Sequence, residues 1–292
     1  GWAGPVPPRP VAAVHLSLDR TVRSSQLFGV PPPLEAEALS SWLTRLTLSQ
    51  GVELREVAQH LGIHLRRDPD RFLHGDALSH VRRLCGLPDS ALAIADRAMQ
   101  SLDLMRPWGD HYMARSGNSK ARFRFCVICL SEMRTPFFPI QWRFIAWRRC
   151  PEHDCLLEDA CPHCGKPVLL PACIQQSTAG RAGYATLDRC LSCSHRLTSA
   201  VPCHLEANGT RIVNAWEDEQ LANGRALLAA LMNRSFRIEG RHMTYRLTSL
   251  RELDRQRAFP LRLDWLSPES LRKRQRSNGQ IAVAALRELP SS

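Results

Sequence analysis

Seven cysteines and one histidine fall in four tight pairs: Cys126-x2-Cys129, Cys150-x2-His153, Cys161-x2-Cys164 and Cys190-x2-Cys193. Two residues between ligands suit a metal knuckle, because the short turn aims both side chains at one ion, whereas cysteines this close bridge each other only with strain. Read in chain order, the pairs make C-x2-C-x20-C-x2-H and C-x2-C-x25-C-x2-C. Each set offers four ligands, enough to close a tetrahedron around zinc with no position left for water. The chemistry expected of Cys126, Cys129, Cys150 and His153, and of Cys161, Cys164, Cys190 and Cys193, is therefore structural, with two zinc ions as the cofactors. An iron–sulfur cluster is the minor alternative. Pairing is not settled by spacing, since Cys150-x2-His153 and Cys161-x2-Cys164 also lie close enough to share one ion. Cys155, His163 and His195 sit beside the knuckles without the spacing of ligands, and Cys85, Cys173 and Cys203 read as small buried residues.

The loop joining the first two knuckles interleaves Arg134, Arg143, Arg148 and Arg149 with Phe137, Phe138, Trp142, Phe144 and Trp147. Aromatics among cations suit nucleic acid, through stacking and phosphate contact, but a small zinc module must also build its core from the same rings. Arg122, Arg124, Arg143, Arg148 and Arg149 are the candidates for nucleic-acid or partner contact. The formal charge of the 292-residue chain is +11, which points to an acidic partner, because a polyanion rewards clustered cations by releasing counterions. Only Lys120, Lys166 and Lys273 of the 39 cationic residues are lysines, and the other 36 are arginines, whose planar fork matches phosphate oxygens in pairs. A GC-rich genome favours the same bias without any functional cause.

Elements must position these residues. Leu39, Trp42, Leu43 and Leu46 recur at i, i+3, i+4 and i+7, which predicts a helix ended by Gly51. Leu54, Val57, Ala58 and Leu61 repeat the spacing up to Gly62, giving a helix-turn-helix shape that serves plain packing as readily as DNA reading. A further helix is expected from Asp89 to Leu104. The fold class is thus mainly α with small zinc-stabilised modules. The expected organisation is a Pro-rich extended N-terminus over 1–33, a helical, helix-turn-helix-like part over 34–118, a tandem zinc-finger region over 119–204 and a helical, basic C-terminal part over 205–292. In that last part, Trp216 to Met232 regains a helical pattern, while Arg241 to Arg262 and the run Arg272, Lys273, Arg274 and Arg276 make a basic tail.

No apolar stretch reaches the roughly 18 residues of a membrane span, and the prolines from Pro5 to Pro10 leave no apolar core for a signal peptide, so a soluble, intracellular protein is expected. Cysteines kept for metal suit a reducing compartment. The sequence holds no phosphate-cradling glycine loop, no Gly-x-Ser-x-Gly elbow, no His-Glu-x-x-His and no acidic cluster marked out as a two-metal site, so no enzyme activity is expected.

The segment from Phe125 to Val168 carries Cys126-x2-Cys129-Leu130, Glu132, Pro136-Phe137-Phe138, Trp142-Arg143, Cys150-Pro151-x-His153, Leu156 and Cys161-Pro162-x-Cys164-Gly165. Together with Leu39-Ser40-Ser41-Trp42-Leu43-x-Arg45-Leu46 upstream, it resembles the TniQ/TnsD family over roughly residues 34–195. The resemblance implies a non-catalytic, cytoplasmic bacterial protein that selects target sites for a DNA transposon. Such proteins link a target-recognition element, either DNA or an RNA-guided CRISPR effector complex, to the AAA+ ATPase that recruits the transposase, and some members are homodimers. The eight ligands carry over position by position. Val127 replaces the proline usual in the first knuckle, and Asp154-Cys155 replaces the small residue usual after the histidine. The competing reading is a zinc-containing, sequence-specific transcriptional regulator without a transposon partner.

Overall fold

The computed structural model describes residues 26–64, 68–106, 108–114, 120–172, 186–204, 211–237 and 243–250. The Pro-rich stretch before residue 26 and the basic tail from residue 251 onward lie outside these residues, as does Cys173.

Helix α1 (Leu39–Gln50) buries the predicted face, with Leu39, Trp42, Leu43 and Leu46 all in the core. It stops where expected: Gly51 turns left-handed at φ 66° and its N–H reaches the Thr47 carbonyl at 3.1 Å, a conformation that costs glycine least. A capping box opens α2 (Leu54–His60), in which Glu56 accepts the Glu53 N–H at 2.9 Å. Between these helices and α5 (Ala93–Leu104) lie two short ones that the periodicity did not announce. The first is α3 (Pro69–Phe72), with Asp68 as its cap and a proline in its first turn, and the second is α4 (Asp76–Leu84). Leu73, Leu78 and Val81 from this stretch complete the core around Trp42 and Leu43.

A second and larger core begins at α5. Its Ala98, Met99 and Leu102 pack into one continuous apolar cluster with Phe123, Phe125, Phe138, Trp142 and Phe144, and with Leu227, Leu228 and Leu231 of α7 (Arg211–Asn233). The rings meet edge to face, with Phe123 and Phe138 centroids 5.4 Å apart and Phe138 and Trp142 centroids 5.6 Å apart. Phe138, Trp142, Phe144 and Trp147 of the loop between the first two knuckles are therefore core rather than a stacking surface, and Phe137 is half-buried. The region also shares the apolar interior of α5 and α7, so the metal ions are not its only source of stability.

Polar ties fix α7 in place: Ser101 Oγ donates to the Leu231 carbonyl at 2.7 Å and Arg97 Nε to the Met232 carbonyl at 3.0 Å. At Gly224, a Cβ would come within 3.3 Å of Ala146 backbone and the Trp147 ring, so α7 crosses that loop at backbone distance. Strands are few: β1 (Ala121–Phe123) pairs antiparallel with β2 (Val168–Leu170), and β3 (Ser235–Arg237) with β4 (Thr244–Arg246). The molecule is helix-rich, and no helix among the described residues is long and apolar enough to cross a membrane.

Candidate metal centres

Three of the four knuckles share one backbone design. Cys150 N–H donates to the Cys155 carbonyl at 2.8 Å while Asp154 N–H returns to Cys150 at 3.0 Å. Cys161 and Gly165, and Cys190 and Ser194, repeat the pattern with Lys166 and His195 as the outer acceptors. Each turn closes on a residue with positive φ: Asp154 at 53°, Gly165 at 65° and Ser194 at 63°. That conformation strains a bulky side chain, and Asp tolerates it better than most, so the replacement of a small residue by Asp154 leaves the turn intact. The remaining knuckle sits at the start of α6 (Val127–Glu132), where the Cys129 N–H points at Cys126 Sγ at 3.4 Å.

The knuckles assemble in chain order rather than crossed. Cys126, Cys129, Cys150 and His153 form one group and Cys161, Cys164, Cys190 and Cys193 the other, with all ligand atoms of each group within 4.8 Å of one another. In the first, Cys129 Sγ lies 3.5 Å from Cys150 Sγ, and His153 Nδ1 is 3.6, 3.2 and 3.6 Å from the sulfurs of Cys126, Cys129 and Cys150. In the second, Cys161 is 3.7 Å from Cys193 and Cys164 is 3.7 Å from Cys190. A tetrahedron with metal–sulfur bonds of about 2.3 Å has edges of about 3.8 Å, so both groups fit a single ion. Each of the two clusters could hold one metal ion.

Sequence reasoning gave Glu132 no role. Its carboxylate lies 3.0 Å from His153 Nε2, on the far side of the ring from the sulfurs. Such a carboxylate fixes the tautomer that leaves Nδ1 free for metal. The signals were its position one turn beyond Cys129 and its place among the residues of the family resemblance. We expect Glu132→Gln to weaken metal binding at the first centre by about 10-fold or more while the second is unchanged. Competition with a chromophoric chelator resolves the two sites, and equal affinities in variant and wild type would contradict the role.

Of the residues set aside, His163 and His195 stack on one another with centroids 3.4 Å apart, outside the second group. Cys85 is buried, which pushes its thiol up to about 11 and keeps it protonated at neutral pH. Cys203 is only half-buried.

The arginine candidates are spent largely inside the molecule. Arg143, expected at a nucleic-acid or partner surface, is wholly buried: its guanidinium is gripped by Asp68 and Asp70, at 3.0 Å to Asp68 Oδ1, and lies 5.3 Å from the centre of the Phe123 ring. Ser40 supplies Asp70 with two further hydrogen bonds, 2.7 Å from its N–H and 2.8 Å from its hydroxyl. The expectation failed because the two acids lie in the four-residue α3 and its cap, more than 70 positions upstream. Arg148 reaches Glu217 of α7 at 3.0 Å and covers the Trp216 ring, and Arg149 pairs with Asp154 and Asp218. Arg124 pairs with Asp159 at 2.9 Å, and Arg122 stands 3.7 Å from the same carboxylate.

Residues 29–157 match the model of the TniQ family, a stretch running from the chain ahead of α1 through the whole first metal cluster. That stretch of the chain is a TniQ domain by this match. No curated protein matches it. The TniQ match ends before Cys161, so the second cluster lies beyond the matched segment although it repeats the same knuckle. A TniQ domain marks a transposon-associated protein, and the domain itself is non-catalytic.

Proposed function

We propose that this TniQ protein is a zinc-scaffolded adaptor that selects target sites for a bacterial DNA transposon. The observation that carries the reading is the TniQ domain over residues 29–157 folded around a complete four-ligand metal cluster. Zinc is the metal assigned to both clusters. Three cysteines with one histidine, beside a set of four cysteines, suit a borderline-soft ion of fixed tetrahedral coordination, and mixed thiolate and imidazole ligation is less usual for iron–sulfur clusters. A closed shell leaves the ion no open position, so its work is to shape the chain between the knuckles. The eight ligands are those named from the sequence, and the chain's own contribution is to aim them: three backbone-closed turns, the α6 N-terminus and the Glu132 carboxylate.

In this reading, the helical part over 34–118, with its helix-turn-helix character, and the tandem zinc-finger region over 119–204 present surfaces to two partners. One is the target-recognition element, either target DNA or a CRISPR effector complex with its guide RNA. The other is the AAA+ transposition ATPase. The exposed parts of Arg122 and Arg148 are what remains for such contacts among the five arginines, since Arg143 is sealed and Arg124 and Arg149 are mostly covered. The surplus of positive charge supports an acidic partner. The setting is the bacterial cytoplasm, and a homodimer is compatible with the family.

The test is reconstitution. Purified protein, the AAA+ ATPase encoded beside it, ATP and target DNA should give ATPase assemblies at the target that are several-fold fewer, or untargeted, when this chain is left out. Identical assembly in its absence overturns the adaptor reading. Cleavage of DNA by this chain alone with Mg²⁺ overturns its non-catalytic part. Tight binding to a palindromic site with no effect on the ATPase favours a transcriptional regulator instead.

A further inference from the structure

The first metal cluster has a fifth thiol at its edge. Cys155 Sγ lies 3.6 Å from Cys126 Sγ, within the range of the ligand-to-ligand distances of the cluster itself. The side chain is fully buried, and its backbone is held in the knuckle, since its carbonyl accepts the Cys150 N–H at 2.8 Å. His153, by contrast, stands at the rim: its side chain keeps 19% exposure, and the Glu132 that steadies it is 64% exposed. The cluster thus carries a half-buried histidine at its rim and an unused thiol inside. A thiolate is at least as good a zinc ligand as imidazole.

We infer that Cys155 is a reserve ligand for the first centre, taking the place of His153 when the histidine is drawn away and converting a site of three thiolates and one imidazole into a site of four thiolates. On this step the Cys155 thiol gives its proton to solvent, its sulfur bonds the ion, and the bond from the ion to His153 Nδ1 breaks, so nothing is oxidised or reduced. The exposed edge formed by His153 and Glu132 is then free to rearrange on a partner without loss of the ion. The inference rests on the reading of both clusters as metal centres.

The experiment counts metal in four full-length proteins purified without chelator: wild type, His153→Ala, Cys155→Ser and the double variant. Wild type, His153→Ala and Cys155→Ser should each hold two zinc ions, and the double variant one. In the Co²⁺-loaded proteins, the thiolate-to-metal absorption of His153→Ala should exceed that of wild type, reflecting eight thiolates in place of seven. A wild type with fewer than two ions sinks the metal reading itself. Two ions in wild type with one in His153→Ala, and again one in His153→Asn, whose amide fills the same space, overturns the reserve ligand alone. Two ions in the double variant overturns it as well, because some other group then completes the site.

Discussion

Stripping both metal ions with a chelator, or replacing Cys161 by serine, is expected to unfold the middle of the chain rather than to weaken one function. Structural zinc binding contributes roughly 10–16 kcal/mol per site in small modules, as much as the whole stability of an ordinary domain at about 5–15 kcal/mol. The second cluster has most to lose: around it, Leu187 and Leu197 are the buried apolar residues contributed by the last knuckle's segment. Both clusters reach the apolar interior of Phe125, Phe138 and α7, but the first enters it with three buried cysteines, Cys126, Cys150 and Cys155, and the second with two, Cys161 and Cys190. Loss of the first cluster's ion should therefore spread outward, loosening the α5–α7 contact as well. Far-ultraviolet circular dichroism with limited proteolysis reads both effects, with cleavage appearing first between residues 161 and 193. A well-folded, protease-resistant Cys161→Ser protein holding no ion at its second centre would contradict the expectation.

The second large effect concerns Arg143. Its charge is buried with those of Asp68 and Asp70, and burial holds the Asp70 carboxyl above its usual range even with the guanidinium alongside. Arg143→Met fills the space but leaves two acids without their cation, a defect of about 3–5 kcal/mol in comparable buried pairs. Replacing all three residues at once, Arg143→Met with Asp68→Asn and Asp70→Asn, should restore a good part of the loss, since no uncompensated charge remains. The sign of the pH response follows. In Arg143→Met the folded state binds a proton on the Asp70 carboxyl more tightly than the unfolded chain does, so the variant's deficit shrinks as pH falls and is largest at neutral pH and above. Denaturant unfolding at several pH values checks this; a deficit under about 1 kcal/mol, or one that grows on acidification, would show that the network does not tie the helical part to the aromatic core.

Much of this was legible in the sequence, and the reasons are physical. Knuckles are local: ligand spacing, a left-handed closing residue and a short turn lie within six residues, so all eight cluster members were found and the structure groups them in chain order. Helix α1 was legible because its four apolar residues form one stripe and a glycine ends it. The short helix α3 was not, since four residues hold too few turns for a stripe to repeat, and α4 went unread although Leu78 and Val81 stand one turn apart. Arg143 was misplaced for a different cause. Its neighbours Trp142 and Phe144 suggested an exposed basic-aromatic surface, while the acids that neutralise it belong to α3 and its cap, a contact no local pattern records. Glu132 likewise gained meaning only when folding brought it to His153.

The most direct test of the account is the ratio of metal to protein. Elemental analysis of the full chain, purified under reducing conditions without chelator, should return two zinc ions per molecule and no iron, with one ion lost on replacing Cys126 and the other on replacing Cys164. One ion per chain, none, or iron in place of zinc would contradict the pair of zinc centres on which the proposed scaffold depends.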